Sequence, residues 1–338
     1  MITTAKKLPD LLIRVMENKL CPMVHSSPGI GKSSIAAQIA QDCNLKLIDI
    51  RLTMYSPTNL NGFGRINEKA KRSEFVPFNE IPLQDDVIPE GYDGWLILFD
   101  ELPSAAEAVQ ASAYKIILDR MVGQHVIHNN TFMMAAGNKK TDNAIVNRMG
   151  TAMQSRMVHF EIEADKDSWL EWAYSTKIDM RLCAYVNYKP SILSSFNPKH
   201  KDHTFSCGRT LEFASRLIKD SEELDHDDLV LLAGAIGEGH GKEFFAFSKV
   251  FAELPLIEDI IADPENAKLS NSPQFMFGVA TYVSEYMAED NVRELLVYMR
   301  RFQPEYQVVC AKRACKRNRV LVANPSMMLW VDDLLPHM

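Results

Sequence analysis

The chain has 338 residues, 46% of them apolar and 24% charged, which places it among globular proteins long enough for two or three domains with cores of their own. The net charge is -7, with an isoelectric point near 5.8, so no polyanion is expected as the main partner. No stretch is long and apolar enough to span a bilayer. Met1 to Lys7 is polar and leads into no signal-peptide core, so the expected compartment is the cytoplasm.

In chain order, residues 8 to 19 carry Leu8, Leu11, Leu12, Val15 and Met16 at helical spacing. A short apolar run, Met23-Val24, follows and leads at once into a glycine-rich loop. Ile35, Ala36, Ile39 and Ala40 then recur at helical spacing, and Leu45 to Leu52 reads as a strand. Residues 53 to 94, rich in Pro, Gly and Asn, read as irregular. Trp95-Leu96-Ile97-Leu98-Phe99 is a continuous apolar run, as expected of a strand buried on both faces. A helix is predicted over roughly 104 to 119, with Ser104 as N-cap and Glu107 completing a capping box. Residues 120 to 130 read as a hairpin, with Gly123 and Asn129-Asn130 as turn signals. Thr131 to Ala136 and His159 to Ile162 are further strands. From about residue 165 the pattern turns helical, with segments near 167–188, 208–219, 226–236, 242–252 and 274–302. Alternating strand and helix followed by helices alone predicts an α/β core with a parallel sheet, then helical regions. The expected boundaries are 1–164, 165–262 and 263–338, the last two being a helical lid and a mostly helical C-terminal extension.

Three motifs carry chemistry. Ser26-Ser27-Pro28-Gly29-Ile30-Gly31-Lys32-Ser33, with Ser34 beyond it, stands between a strand and a helix. It fits Gly-x-x-x-x-Gly-Lys-Ser/Thr except that Ser26 replaces the first Gly, at a cost if that position needs positive φ. Glycines there let backbone N–H groups turn toward phosphate oxygens, and the helix N-terminus adds positive potential. Lys32 would reach the β- and γ-phosphates of ATP, and Ser33 would place its hydroxyl on Mg²⁺. The second motif is Leu96-Ile97-Leu98-Phe99-Asp100-Glu101. Asp100 emerges at the carboxyl end of a strand, where ligands bind open α/β sheets, and can join the Mg²⁺ shell. Glu101 can polarise a water for attack on the γ-phosphate. The third is Ala135-Ala136-Gly137-Asn138, whose terminal amide can bond both that water and the γ-phosphate.

These motifs in this order resemble those of AAA+ ATPases: Walker A, Walker B, sensor 1, then a helical lid. The closer match is to the MoxR-type group, which includes ATPases that work with von Willebrand factor A-domain proteins. It rests on Asn59-Leu60-Asn61-Gly62-Phe63-Gly64, which looks like the insertion in helix 2, and on Val109-Gln110 through Leu118-Asp119-Arg120-Met121-Val122-Gly123. Two more stretches contribute: Ala136-Gly137-Asn138 with Asp142 and Met153-Gln154-Ser155-Arg156-Met157, and Cys207-Gly208-Arg209-Thr210-Leu211-Glu212. The resemblance covers roughly residues 8 to 250. It implies a homo-oligomer, a hexameric ring with ATP at subunit interfaces, and a protein client. Arg156, with Arg148 as runner-up, would be the arginine that completes a neighbour's site. Arg209 would reach the γ-phosphate from its own subunit. Phe63 and Val122-Gly123-Gln124-His125 either face a pore or are a buried residue and a plain hairpin.

The leading expectation is therefore an ATP-driven remodeller of a protein partner. Against it stand a nucleotide-dependent assembly module with little hydrolysis and a motor or loader acting on nucleic acid, which the acidic balance disfavours. The run Lys312, Arg313, Lys316, Arg317 and Arg319 is one candidate for a local basic patch, and a solvated face or subunit contact is its plainer reading. The six cysteines are scattered and read as free thiols. His200, His203 and Cys207 sit close enough in sequence to suggest a metal, but without an obvious fourth ligand.

Overall fold

A computed structural model describes residues 2–3, 7–69, 71–139, 149–199 and 202–337. The chain divides into two compact units, Met1–Glu163 with Asn197–Lys199, and Ala164–Phe196 with His200–Met338. The first unit contains β1 (Ile2–Thr3), α1 (Leu8–Glu17), β2 (Cys21–Ser26), α2 (Lys32–Asp42), β3 (Leu45–Arg51), α3 (Pro57–Asn61), β4 (Phe63–Asn67) and β5 (Arg72–Val76). It continues with β6 (Gly94–Asp100), α4 (Glu107–Asp119), β7 (Met121–Val122), β8 (His125–Val126), β9 (Thr131–Asn138), α5 (Thr151–Gln154) and β10 (Met157–Ile162).

Six of these strands form one parallel sheet in the order β1-β10-β2-β9-β6-β3. The period-2 alternation explains the apolar run of β6, whose seven residues are all buried. Leu96 and Leu98 join Leu8, Leu12, Ala36 and Ile39 of α1 and α2 in one core, while Ile97 and Phe99 join Ala113 and Ile116 of α4 on the other face. β2 lies inside the sheet between β10 and β9, whereas β3, the next long strand in sequence, lies at the far edge beyond β9 and β6. The chain thus switches direction across the sheet at the carboxyl end of β2, the crevice where open α/β sheets bind ligands.

The predicted strands stand where the apolar runs put them, and two local expectations fail. The segment read as irregular holds an antiparallel hairpin, β4–β5, in which Phe63 faces Val76 and Arg65 faces Glu74. None of its ten residues is buried, so it lacks the apolar-in, polar-out alternation that marks a half-buried strand. The predicted N-cap at Ser104 is not one. Leu102–Ser104 forms a 3-10 turn, α4 starts at Glu107, and Ala106 precedes it without a side-chain cap. Gln110 instead donates to the Ala105 carbonyl at 3.0 Å.

The second unit is helical: α6 (Lys166–Ser175), α7 (Met180–Tyr188), α8 (Gly208–Ile218), α9 (His226–Ile236), α10 (Glu238–Ser248), α11 (Ile257–Ala262), α12 (Pro273–Tyr286), α13 (Val292–Met299), α14 (Pro304–Arg317) and α15 (Pro325–Leu334). The caps are explicit. Asp165 accepts from the Ser168 amide, Asp225 from Asp227 and Asp228, and Asn324 from Ser326 and Met327. One apolar cluster gathers residues from Leu170 to Phe247 and another gathers residues from Ile257 to Leu334. The stretch expected as helical over 167–188 is two helices, separated at Thr176 to Asp179, where Lys177 takes φ 57°. Among the described residues, no helix is long and apolar enough to cross a membrane.

Candidate nucleotide site

β2 ends at Ser26 and α2 begins at Lys32, so the loop between them is the phosphate-loop motif. Gly29 and Gly31 take φ of 79° and 96°, a left-handed backbone that side chains with a Cβ resist. Ser26 is not among the positive-φ residues. It pairs with Asn138 across the sheet and is fully buried, so the strain expected of serine at this position is absent. Its hydroxyl has a use of its own: Ser26 Oγ donates to the Ser27 carbonyl at 3.0 Å and accepts from Lys32 Nζ at 3.0 Å.

Lys32 joins two of the three motifs. Its ammonium also donates to the Ser26 carbonyl at 3.3 Å and to Asn138 Oδ1 at 3.0 Å. Ser33 Oγ donates to Asp100 Oδ2 at 3.1 Å, joining the loop to the end of β6. Asp100 accepts the Glu101 amide on its other oxygen at 2.9 Å. Glu101 is left-handed, at φ 58°, and this turns the chain out of β6 into the 3-10 turn. The carboxylate of Glu101 accepts from Thr53 Oγ1 at 2.5 Å. Thr53 sits in the turn Leu52–Met54 that follows β3, where Arg51 is the Cα partner of Asp100. The sequence reading missed Thr53. The available signal was a hydroxyl just past an apolar strand, level with the Asp-Glu pair.

Asp49, on β3, has its carboxyl raised above the usual range, first by burial and then by Asp100, with Arg51 pulling the other way. Carboxylates therefore crowd this edge of the sheet. A hydroxyl beside a carboxylate is an all-oxygen donor set suited to a hard cation such as Mg²⁺, and the two glycine-shaped turns suit backbone approach to phosphate. The residues fit Mg²⁺ and ATP. Gly137 brings the pieces close: a Cβ there would stand 2.3 Å from Pro103 Cδ, so the end of β9 lies directly against the turn that follows Glu101.

Ser27, Pro28 and Ile30 are half-buried in the loop, and Ser34 is exposed in the first turn of α2. Arg156 is exposed after α5, its guanidinium 5.3 Å from the Tyr114 ring centre. Arg209 is an exposed residue of the first turn of α8, in the second unit. Arg148, Asp142 and His200 lie outside the described residues. Phe63 is 67% exposed, which settles against its burial, whereas Val122 of the β7–β8 hairpin is buried.

The basic run near the C-terminus does not form a free stripe. Arg313 is buried, pairs with Glu285 and lies over Tyr174, and Arg317 donates to the Ser284 and Met287 carbonyls. Lys316 pairs with Glu171 at 3.3 Å. Of the suggested metal ligands, Cys207 is buried at the start of α8 with Thr210 Oγ1 at 3.6 Å, while His203 is exposed.

No model of a protein family matches the sequence, and no curated protein does. Solved structures with similar arrangements include a Cytophaga hutchinsonii protein described provisionally as an ATPase, 12% identical, covering 98% of this chain and 89% of that one, with a TM-score of 0.38. A point variant of RuvB from Thermotoga maritima is 15% identical over 72% of this chain and 69% of its own, with a TM-score of 0.41. NtrX from Brucella abortus, in complex with ADP, is 14% identical over 97% of this chain and 68% of its own, with a TM-score of 0.41. Likenesses at this level bear on no residue. The chain's own topology has the architecture that the resemblance to AAA+ ATPases implies: a parallel α/β sheet, a phosphate loop between strand and helix at the switch point, and a helical unit after it.

Proposed function

We propose that the chain is an ATPase that binds ATP with Mg²⁺ at the carboxyl edge of its sheet and hydrolyses it to remodel a protein partner. The observation that carries the reading is the position of Lys32, bonded to Ser26 and Asn138, beside the Ser33–Asp100 pair. Bound ATP and Mg²⁺ would supply the phosphoanhydride bond and a cation that neutralises phosphate oxygens. Loop amides from Ser27 to Ser34 would cradle the phosphates, Lys32 would turn from Asn138 toward the β- and γ-oxygens, and Ser33 and Asp100 would hold the metal shell. Glu101, released from Thr53, would accept a proton from the attacking water, and Asn138 would orient that water.

The reading extends to a ring, a hexamer, in which Arg156 of one copy serves the site of the next and Arg209 reaches the nucleotide of its own copy. Such a trans arginine is worth on the order of 10³–10⁵ in rate in related NTPases. The client is a protein, with a von Willebrand factor A-domain partner the first to try.

Phosphate release measured against protein concentration tests the proposal. Specific activity should rise as copies assemble, Glu101→Gln should abolish turnover while ATP still stabilises the fold, and Lys32→Ala should lose the stabilisation itself. Full turnover by pure Glu101→Gln would sink the catalytic assignment. Turnover that responds to DNA or RNA and falls steeply with salt would favour a nucleic-acid motor instead.

A further inference from the structure

The sheet edge carries a second polar cluster that the nucleotide chemistry does not use. Lys139 follows Asn138 directly, and its ammonium pairs with Glu161 Oε1 at 2.6 Å and Glu163 Oε1 at 3.4 Å. β9 and β10 flank β2, so Lys139 reaches over the carboxyl end of the strand that feeds the phosphate loop, a span of about 9.6 Å at two inter-strand spacings. The register places Gly137 beside His25 and His25 beside Glu161, and alternation puts these odd-numbered residues on the sheet face opposite Ser26 and Asn138. His25 Nε2 lies 3.0 Å from His159 Nδ1, and His159 Nε2 lies 2.8 Å from the Gln154 carbonyl, so the cluster runs across three strands.

Two facts give Lys139 more than a surface role. Its side chain is 17% exposed, although both its partners lie near the surface. Glu163 is the last residue of the first unit before the chain enters the second at Ala164. Ion pairs with such exposed carboxylates contribute little stability, so the consequence of this one is geometric. On one side Asn138 is bonded to the ammonium of the phosphate loop. One peptide further, Lys139 holds the carboxylate at the chain's exit toward the helical unit.

We propose that Lys139 is a positioning residue that passes a change at Asn138, when Lys32 exchanges it for a phosphate, to the exit at Glu163 and so sets the nucleotide response of the helical unit. This rests on the ATP-binding reading above. The coupling needs no contact of Lys139 with nucleotide. It needs only that β9's end and the exit segment move together.

Amide hydrogen exchange on the full chain, with and without a slowly hydrolysed ATP analogue, tests it. The readout is the exchange of peptides covering residues 160 to 175. In the wild type the analogue should change their exchange several-fold. Lys139→Met should bind the analogue with a Kd within about two-fold of wild type yet lose most of that change, and Lys139→Arg should restore it. Glu163→Gln, an isosteric change at a side chain 58% exposed, should lose part of it. A nucleotide-dependent change preserved in Lys139→Met and Glu163→Gln overturns the coupling alone. A wild type that does not bind the analogue overturns the ATP reading, and this proposal with it.

Discussion

Gly137→Ala is a direct probe of how the three motifs are held together. The added methyl would lie 2.3 Å from Pro103 Cδ and 2.6 Å from Pro103 Cγ, both well inside van der Waals contact. A proline ring cannot swing aside as a flexible side chain does, and Met23 Cε, 3.1 Å away on another side, narrows the remaining room. Either β9 or the turn after Glu101 must shift, and overpacking of this kind costs about 1–3 kcal/mol. For a unit of this size each kcal/mol lowers Tm by roughly 2–4 °C, so a fall of about 2–12 °C is expected in calorimetry. The functional loss should exceed what that instability explains, because the displaced residues are neighbours of Glu101 and Asn138. At a temperature where the variant is fully folded, kcat should fall at least about ten-fold, with ATP affinity changed little since Lys32 and Ser33 are untouched. An alanine variant with wild-type Tm and wild-type turnover would refute the close packing of Gly137 on Pro103 and the reasoning built on it.

Other expectations follow from single contacts. Thr53→Val removes the hydroxyl that occupies Glu101. A hydrogen bond to an exposed carboxylate is worth about 1 kcal/mol, so steady-state turnover should rise up to about five-fold at unchanged KM, and an unchanged or lower rate would mean that Thr53 does not restrain Glu101. Ser26→Ala keeps the backbone and removes one acceptor from Lys32, while the Ser26 carbonyl and Asn138 remain. ATP affinity by calorimetric titration should change less than about ten-fold, and a complete loss would show that the hydroxyl has a larger part. Arg313→Ala strips Glu285 and the Tyr174 ring of a buried cation. Because Glu285 is partly solvated, the loss should fall near the low end for buried pairs, about 3 kcal/mol by urea unfolding, with nucleotide affinity unchanged. Burial pushes the thiols of Cys21 and Cys183 up to about 12 and that of Cys310 higher still. These thiols stay protonated and unreactive through neutral and mildly alkaline pH, so native-state titration with a thiol reagent at pH 8 should label Cys43 and Cys315 first and these three only on unfolding.

How much of this was legible in the sequence depends on whether a residue's use was local. The strand positions of β6 and β9 were readable because both faces are buried and the apolar runs are unbroken, and that of β2 from the short run Met23-Val24 that leads into the loop. Lys32, Asp100 and Asn138 were readable because each stands at the carboxyl end of such a strand or at the start of the helix that follows one. The hairpin β4–β5 was not, since a ribbon with no buried residue has no reason to alternate. α14 was readable only as part of a mostly helical extension and not as a helix with its own bounds, for the opposite reason: polar residues sit on its buried face. Gln307 donates to the Phe302 carbonyl at 2.7 Å and accepts from the Trp330 indole at 2.8 Å, and Arg313 is paired, so the helix hides its core-facing stripe behind side chains that look solvent-bound.

Ser26 shows why a motif departure is better judged by the backbone it must adopt than by the pattern it breaks. Glycine is required where φ is positive or where another chain approaches too closely for a Cβ. Gly29 and Gly31 meet the first condition and Gly137 the second. Position 26 meets neither. It is the last paired residue of a buried strand, where extended φ admits any residue, and the small side chain points to the amine of Lys32. A hydroxyl there gives the ammonium an acceptor that glycine lacks, and this holds Lys32 over the strand end beside Asn138. On the ATP-binding reading, the same bonds that position Lys32 would be exchanged for bonds to phosphate. Serine at this place would then trade some nucleotide affinity for a preset lysine, and the loop keeps the backbone of the motif without its first glycine.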